Sequence, residues 1–364
     1  MYPAQAKGQR DSGWGKSAGI VRAKSNSTSV CLAAFAANCG ASRQKEQIGM
    51  SSPSEPVHSE PLEPPQRPRD GFFGPVFIGP NGLRAGWRIS IFILIVATLG
   101  FAFTVTVSRA PFVSRYLVAA QHGQLAPLGL IISEAIVAIV VLAAAGIMSL
   151  IESRAPGVYG MPLSAAFGAK FWQGMLWGLL AVSLLVGLIA TAGAYSFGPV
   201  ALSGSAILSN GLLWLIGFLM VGIFEEFAFR GYLQYTLGSG IGFWPSAAIL
   251  SALFGAVHLN NPGEGIVGAL SVFSIAMFFC FTLRRTGNLW FAIGLHCSFD
   301  WGETFLYSVP NSGTTTSGAL SHSVLHGARW ITGGSVGPEG SVFCFLTIAL
   351  LFFVFHRLYP FKQA

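Results

Sequence analysis

Residues 206–229 read AILSNGLLWLIGFLMVGIFEEFAF, and the chain continues Arg230-Gly231-Tyr232-Leu233. The run has the roughly 20 apolar residues needed to cross the hydrocarbon of a bilayer. It also holds two adjacent carboxylates, Glu225 and Glu226. A carboxylate in a membrane helix costs on the order of 2.5–3.5 kcal/mol on insertion scales, so such a pair is a functional hypothesis by default. Glu226 and Arg230 are spaced i,i+4 and can pair on one helix face. Glu225 lies about 100° round the helix and is not neutralised by that contact. The competing reading ends the helix near Val221 and leaves the charges at the interface, but apolar residues flank the pair on both sides.

The rest of the chain agrees with a membrane reading. Of 364 residues, 52% are hydrophobic and 10% charged, against about 25% charged in soluble domains. Mean hydropathy is +0.61. Apolar runs predict helices over 87–107, 127–150, 171–195, 206–229, 244–259, 264–283, 288–307 and 341–357. The expected fold is an all-α polytopic membrane protein with about eight transmembrane helices. The helix over 244–259, opened by Trp244-Pro245, is short for a full span and is expected to be tilted, kinked or re-entrant. Residues 1–86 are polar and Pro-rich and read as a disordered cytoplasmic tail. Met50 opens a stretch of different composition, which makes 1–49 a candidate non-native extension. The membrane domain is expected over 87–360, with its motif core at 206–307.

The net charge of +7 does not mark a nucleic-acid binder. Ten of the 21 cations lie in the tail, and the others are scattered between apolar runs, as loop cations are. Arg154, Lys170, Arg230, Arg284, Arg285, Arg357 and Lys362 would fall on one side, against Arg109, Arg115 and Arg329 on the other. By the positive-inside rule both termini are expected in the cytoplasm. Cys280, Cys297 and Cys344 have no metal-type spacing and read as small apolar fillers, with Cys31 and Cys39 in the tail.

Two further helices carry ionisable groups. Phe254-x-x-x-His258 and His296-x-x-x-Asp300 each place a pair on one helical face. A lone histidine in an apolar helix is most often a hydrogen-bonded structural residue. Three helices each with an ionisable group form instead the set a hydrolytic site requires: a base for water, groups for the oxyanion and, in many enzymes, a Lewis acid. A glutamate in a low-dielectric site is a competent base. Two histidines and a carboxylate are also a zinc ligand set, although the His-Glu-x-x-His pattern of zincins is lacking.

Glu225-Glu226-x-x-x-Arg230, Phe254-x-x-x-His258 and His296-x-x-x-Asp300, in that order and in apolar helices, resemble the three motifs of the CPBP intramembrane proteases. That family includes prenyl-protein CAAX endopeptidases and the bacteriocin-processing and self-immunity (Abi) proteins. The resemblance implies an intramembrane endopeptidase in which Glu225 activates water, Glu226 and Arg230 support it, and His258 joins the centre. His296 and Asp300 would stabilise the oxyanion or bind a metal. Many members have Asn where this chain has Asp300, which as a carboxylate accepts hydrogen bonds but donates none. A divalent metal such as zinc, on His258, His296 and Asp300 or on Glu225, goes with the resemblance. So do a membrane-associated peptide substrate, either a prenylated CAAX type or a leader-like segment, and a bacterial plasma membrane.

A catalytically silent immunity or scaffold protein and a proton-coupled transporter are the alternatives that use the same residues. Elsewhere, His322 and His326 read as loop histidines, Glu264 as a loop or helix-start acid, and Gly337-Pro338-Glu339-Gly340 as a turn.

Overall fold

The computed structural model describes residues 74–79, 82–107, 109–110, 113 and 124–361. Eight long helical segments make up the described chain. They are α1 (Ala85–Val107), α2 (Pro127–Ile151), α3 (Ala169–Thr191) and α4 (Ser205–Glu226), which runs on through a π-helical stretch, Phe227–Leu233, into α5 (Gln234–Ile241). They continue with α6 (Phe243–His258), α7 (Ile266–Thr286), α8 (Trp290–Trp301) and α9 (Val342–Leu358). Strands among the described residues are two-residue pairs only, such as Tyr195–Ser196 against Val324–Leu325. The protein is an all-α polytopic membrane protein, as its apolar runs predict.

Several details differ from expectation. The helix predicted to stop at 229 continues to Ile241, so Arg230 is not a loop cation and says nothing about topology. The helix predicted to reach 195 stops at Thr191, because Tyr195 is taken into a strand. Five segments are long and apolar enough to cross a bilayer unaided: Ala85–Thr106, Pro127–Ile151, Ala169–Thr191, Ser205–Ile241 and Ile266–Thr286. Phe243–His258 and Val342–Leu358 are apolar but shorter. α8 has 12 residues and is prolonged by a second π stretch, Gly302–Leu306. Within the segment expected to be a tail, Gly74–Phe77 forms a helical turn and Ile78–Gly79 pairs antiparallel with Gly82–Leu83; residues 1–73, with Met50, Cys31 and Cys39, lie outside the described residues.

Lipid is as apolar as leucine, so helices in a membrane associate through close packing and polar contacts rather than hydrophobic burial. The α3–α8 crossing shows the first. A Cβ at Gly174 would press into the carbonyl oxygen of Phe291, one at Gly178 into that of Leu295, and one at Gly294 of α8 into that of Phe171. α8 is thereby held at the centre, with Phe291, Ile293 and Leu295 fully buried.

Polar contacts tie α1 to the same bundle. Arg88 meets Glu152 with Nε at 2.9 Å and Nη2 at 2.6 Å. Tyr232, in the π stretch, donates to Glu152 at 2.7 Å, and Tyr159 donates at 3.2 Å. Burial would raise the Glu152 carboxyl, but the Arg88 and Tyr232 hydrogen bonds outweigh it and hold that group below the usual glutamate range. Cys280, Cys297 and Cys344 are buried and free, consistent with packing roles.

Candidate active site

The six residues singled out by their sequence pattern come from α4, the π stretch, α6 and α8. α4 delivers Glu225 and Glu226 at its last two positions, with different environments. The Glu226 side chain is fully buried, whereas that of Glu225 is 21% exposed and borders a cavity of about 340 Å³. The backbone then passes into the π stretch, where Gly231 leaves helical geometry (φ −85°, ψ −107°). Such π segments recur at functional sites. Arg230, in this stretch, stays next to Glu226: Nη1 donates to Oε1 at 3.3 Å, inside the protein. The rings of Phe254 and Phe279 cover the guanidinium, with centroids 4.2 and 5.5 Å from Cζ, which offsets part of its desolvation by cation–π attraction.

Glu226 is shared with α8. Its Oε1 also accepts from His296 Nδ1 at 3.0 Å. With Nδ1 occupied in this way, His296 presents Nε2 to two other carboxylates, Asp300 Oδ2 at 3.4 Å and Glu225 Oε2 at 3.6 Å. The imidazole stacks on Phe279. Asp300, one turn beyond His296, is therefore a neighbour of the imidazole and borders the cavity with it. His258, at the last position of α6, borders the same cavity. Its Nδ1 donates to the Phe254 carbonyl at 2.8 Å, which leaves Nε2 as the ring nitrogen without that bond.

Three further carboxylates, two of them lining the cavity and the third interacting electrostatically with Asp300, are missed by the motif reading. Glu134, in α2, lines the cavity and interacts electrostatically with Glu225. Glu339 also lines it, from the 3₁₀ turn Pro338–Gly340, and accepts from the Ser312 amide and hydroxyl, both at 2.9 Å. Burial pushes the Glu339 carboxyl up, opposed by His258 and by the Ser312 bonds. Glu303, in the π stretch after α8, is fully buried, and neither carboxylate oxygen has a hydrogen-bond partner. Glu134 and Glu303 are charges inside apolar runs, the same signal that marks Glu225; Glu339 has no local signal in its Gly-Pro-Glu-Gly setting.

The residues set aside as loop groups are elsewhere. Glu264 accepts from the Gly265 amide at 3.0 Å just before α7, and His326 bonds the Ser196 hydroxyl at 2.9 Å. As to a metal, no three His, Cys, Asp or Glu side chains among the described residues are grouped so as to hold an ion. His296 is committed through Nδ1 to Glu226, and its other nitrogen faces carboxylates rather than the ring of His258.

The fold and site together define a membrane-embedded helical domain with carboxylates and imidazoles converging on one cavity. Residues 207–302 match the family of Rce1-like type II CAAX prenyl endopeptidases, and the match contains all three motifs. Over that stretch, about a quarter of the chain, the protein is similar to the CAAX protease (CPBP) family, in agreement with the resemblance read from the motifs. No curated protein matches the chain.

Proposed function

We propose that this protein is an intramembrane endopeptidase that hydrolyses a peptide bond of a membrane-associated substrate with water activated by Glu225. The observation that carries the reading is the convergence of Glu225, His258, His296 and Asp300 on one cavity, with the buried Glu226–Arg230 pair behind them.

Of the two adjacent glutamates, Glu225 is the base because its carboxylate reaches the cavity, while Glu226 is sealed off between Arg230 and His296. A water held by Glu225 gives up a proton to it and attacks the scissile carbonyl. Negative charge then develops on the carbonyl oxygen and needs nearby donors. Nε2 of His296, beside Glu225 and Asp300, is the group for that task once it carries a proton. Glu225 returns its proton to the leaving amine, so no net proton is consumed. Glu226 and Arg230 position: they fix the His296 ring through Nδ1, much as an outer carboxylate orients a catalytic imidazole. His258, with Nδ1 held by the Phe254 carbonyl, offers Nε2 as an acceptor that orients water.

A divalent cation such as zinc on His258, His296 and Asp300, or on Glu225, would supply Lewis-acid polarisation of the carbonyl. The side chains as placed do not form such a ligand set, so no step is routed through it.

The substrate proposed is a membrane-associated segment, CAAX-type or leader-like, in a bacterial plasma membrane, with both chain termini in the cytoplasm. Arg154, Lys170, Arg284, Arg285 and Arg357 support that orientation without Arg230. The test is cleavage in ¹⁸O-labelled water by the purified full chain. Hydrolysis places one ¹⁸O in the new C-terminal carboxylate. Absence of cleavage with every membrane peptide, together with proton flux across proteoliposomes, would instead support a transporter.

A further inference from the structure

Two side chains anchor the π stretch, one on each side of Gly231, where the backbone leaves helical geometry. Toward α8, Arg230 meets Glu226 through a single contact at 3.3 Å. Arg230 Nη2 and Glu226 Oε2 are both buried with no hydrogen-bond partner among the described residues, so this side holds the stretch by one long bond. Toward α2, the fully buried Tyr232 donates to Glu152 at 2.7 Å, a charge-assisted bond and thus one of the strong kind. The Tyr232 ring is clamped as well, stacked on Phe92 with centroids 4.3 Å apart and met edge-on by Tyr159 at 5.0 Å. Glu152 is in turn held by Arg88, at 2.9 and 2.6 Å, and by Arg154 at 3.3 Å. The tighter hold on the stretch lies on the Tyr232 side.

Resting on the endopeptidase reading, we infer that Tyr232 is a positioning residue of the active site. With Glu152 as its anchor, it sets where the π stretch places Arg230 and Glu226, and through them the His296 imidazole. The path is short. Gly231 alone separates Tyr232 from Arg230 in the chain, Arg230 shares Glu226 Oε1 with His296 Nδ1, and Nε2 of that ring faces Asp300 and Glu225. The described residues that line the cavity include neither Tyr232 nor Glu152, so both act from outside it. Misplacing reacting groups by about 1 Å costs up to about 10²-fold in rate, which is the leverage open to such an anchor. The cluster also contains its own control. Tyr159 donates to the same carboxylate at 3.2 Å, but from the turn Pro156–Tyr159 rather than from the π stretch.

The test compares Tyr232→Phe with Tyr159→Phe in the full chain, in detergent, on a membrane peptide below the melting temperature of each protein. Both variants should melt earlier than the unaltered protein. Tyr232→Phe should lower kcat about tenfold or more at unchanged KM, whereas Tyr159→Phe should keep kcat. In a Glu226→Gln background Tyr232→Phe should have little further effect, because both changes reach His296 through one contact. Unchanged kcat in Tyr232→Phe, equal losses in the two phenylalanine variants, or fully additive losses with Glu226→Gln would overturn the inference. If Tyr232→Phe does not fold, Glu152→Gln weakens the same bond: lower kcat at unchanged KM supports the inference, and unchanged kcat overturns it. If the unaltered protein cleaves no peptide, the endopeptidase reading fails, and the ¹⁵N signals of the His296 imidazole decide the positioning separately. A shift in Tyr232→Phe but not in Tyr159→Phe supports it, while no shift, or the same shift in both, overturns it.

Discussion

Glu226 and His296, 70 residues apart in the chain, meet at 3.0 Å through Oε1 and Nδ1, and the same oxygen holds Arg230. One buried carboxylate thus fixes both the π stretch after α4 and the imidazole of α8. Of the cavity-facing groups, His296 touches it directly, and Glu225 and Asp300 meet it only through that imidazole.

Exchanging the two neighbouring glutamates separately should therefore give different kinetics. Glu225→Gln removes the base and should lower kcat by about 10²–10⁴-fold with little change in KM. Glu226→Gln keeps the shape but weakens the hold on His296, so kcat should fall less and the pH profile should shift. Steady-state assays across pH on both variants distinguish the two roles.

Removing one partner of a buried ion pair leaves the other charge uncompensated, at a cost of about 3–5 kcal/mol. Arg230→Met should accordingly lower the thermal unfolding temperature in detergent strongly. The double change Glu226→Gln with Arg230→Met should recover part of that loss. If the double variant is no more stable than the single one, the pair is not the stabilising unit.

Glu152 lends the fold a pH dependence. Its folded-state carboxyl is below its unfolded value, so its contribution is present above the unfolded value, about 4.3, and is lost as pH falls through the folded one. Glu152→Gln should therefore melt earlier than the unaltered protein at pH 7. The gap should begin to narrow below about pH 4.3 and close as pH falls through the folded value, which melting curves across pH would show.

Backbone contact between α3 and α8 leaves no room for a side chain at Gly178. Gly178→Val should displace α8, and with it His296 and Asp300, so that activity and folded yield fall together. Gly187, on the same helix with open space around its Cα, should accept alanine without loss, and size-exclusion profiles of the two variants make the comparison.

Because the side chains as placed form no ligand set, cleavage should survive chelation, with no stoichiometric metal by elemental analysis. Activity lost to a chelator and restored by zinc would return His258, His296 and Asp300 to the role of ligands.

Much of this was legible in the sequence because membrane helices declare themselves by length and apolarity. All eight helical runs are present, and the scarcity of charge inside them marks Glu225, Glu226, Arg230 and Asp300. What was not legible depends on tertiary geometry. The π stretch at Phe227–Leu233 looks like ordinary helix until Tyr232 is seen anchored to Glu152, 80 residues earlier. Glu339 sits in a turn-like tetrapeptide, and only the fold carries it to the cavity wall. Glu134 and Glu303 carry the same signal of a charge in an apolar run, but neither stands in one of the three motifs that single out the site. The double use of Glu226 could not be read from its spacing, which reports Arg230 alone.

The most direct measurement is the single-turnover rate of peptide cleavage by the full chain beside Glu225→Gln, with both proteins shown to be equally folded by melting temperature. A loss of at least about a hundredfold in the variant is the predicted result. Cleavage at an unchanged rate would contradict the assignment of Glu225 as the base.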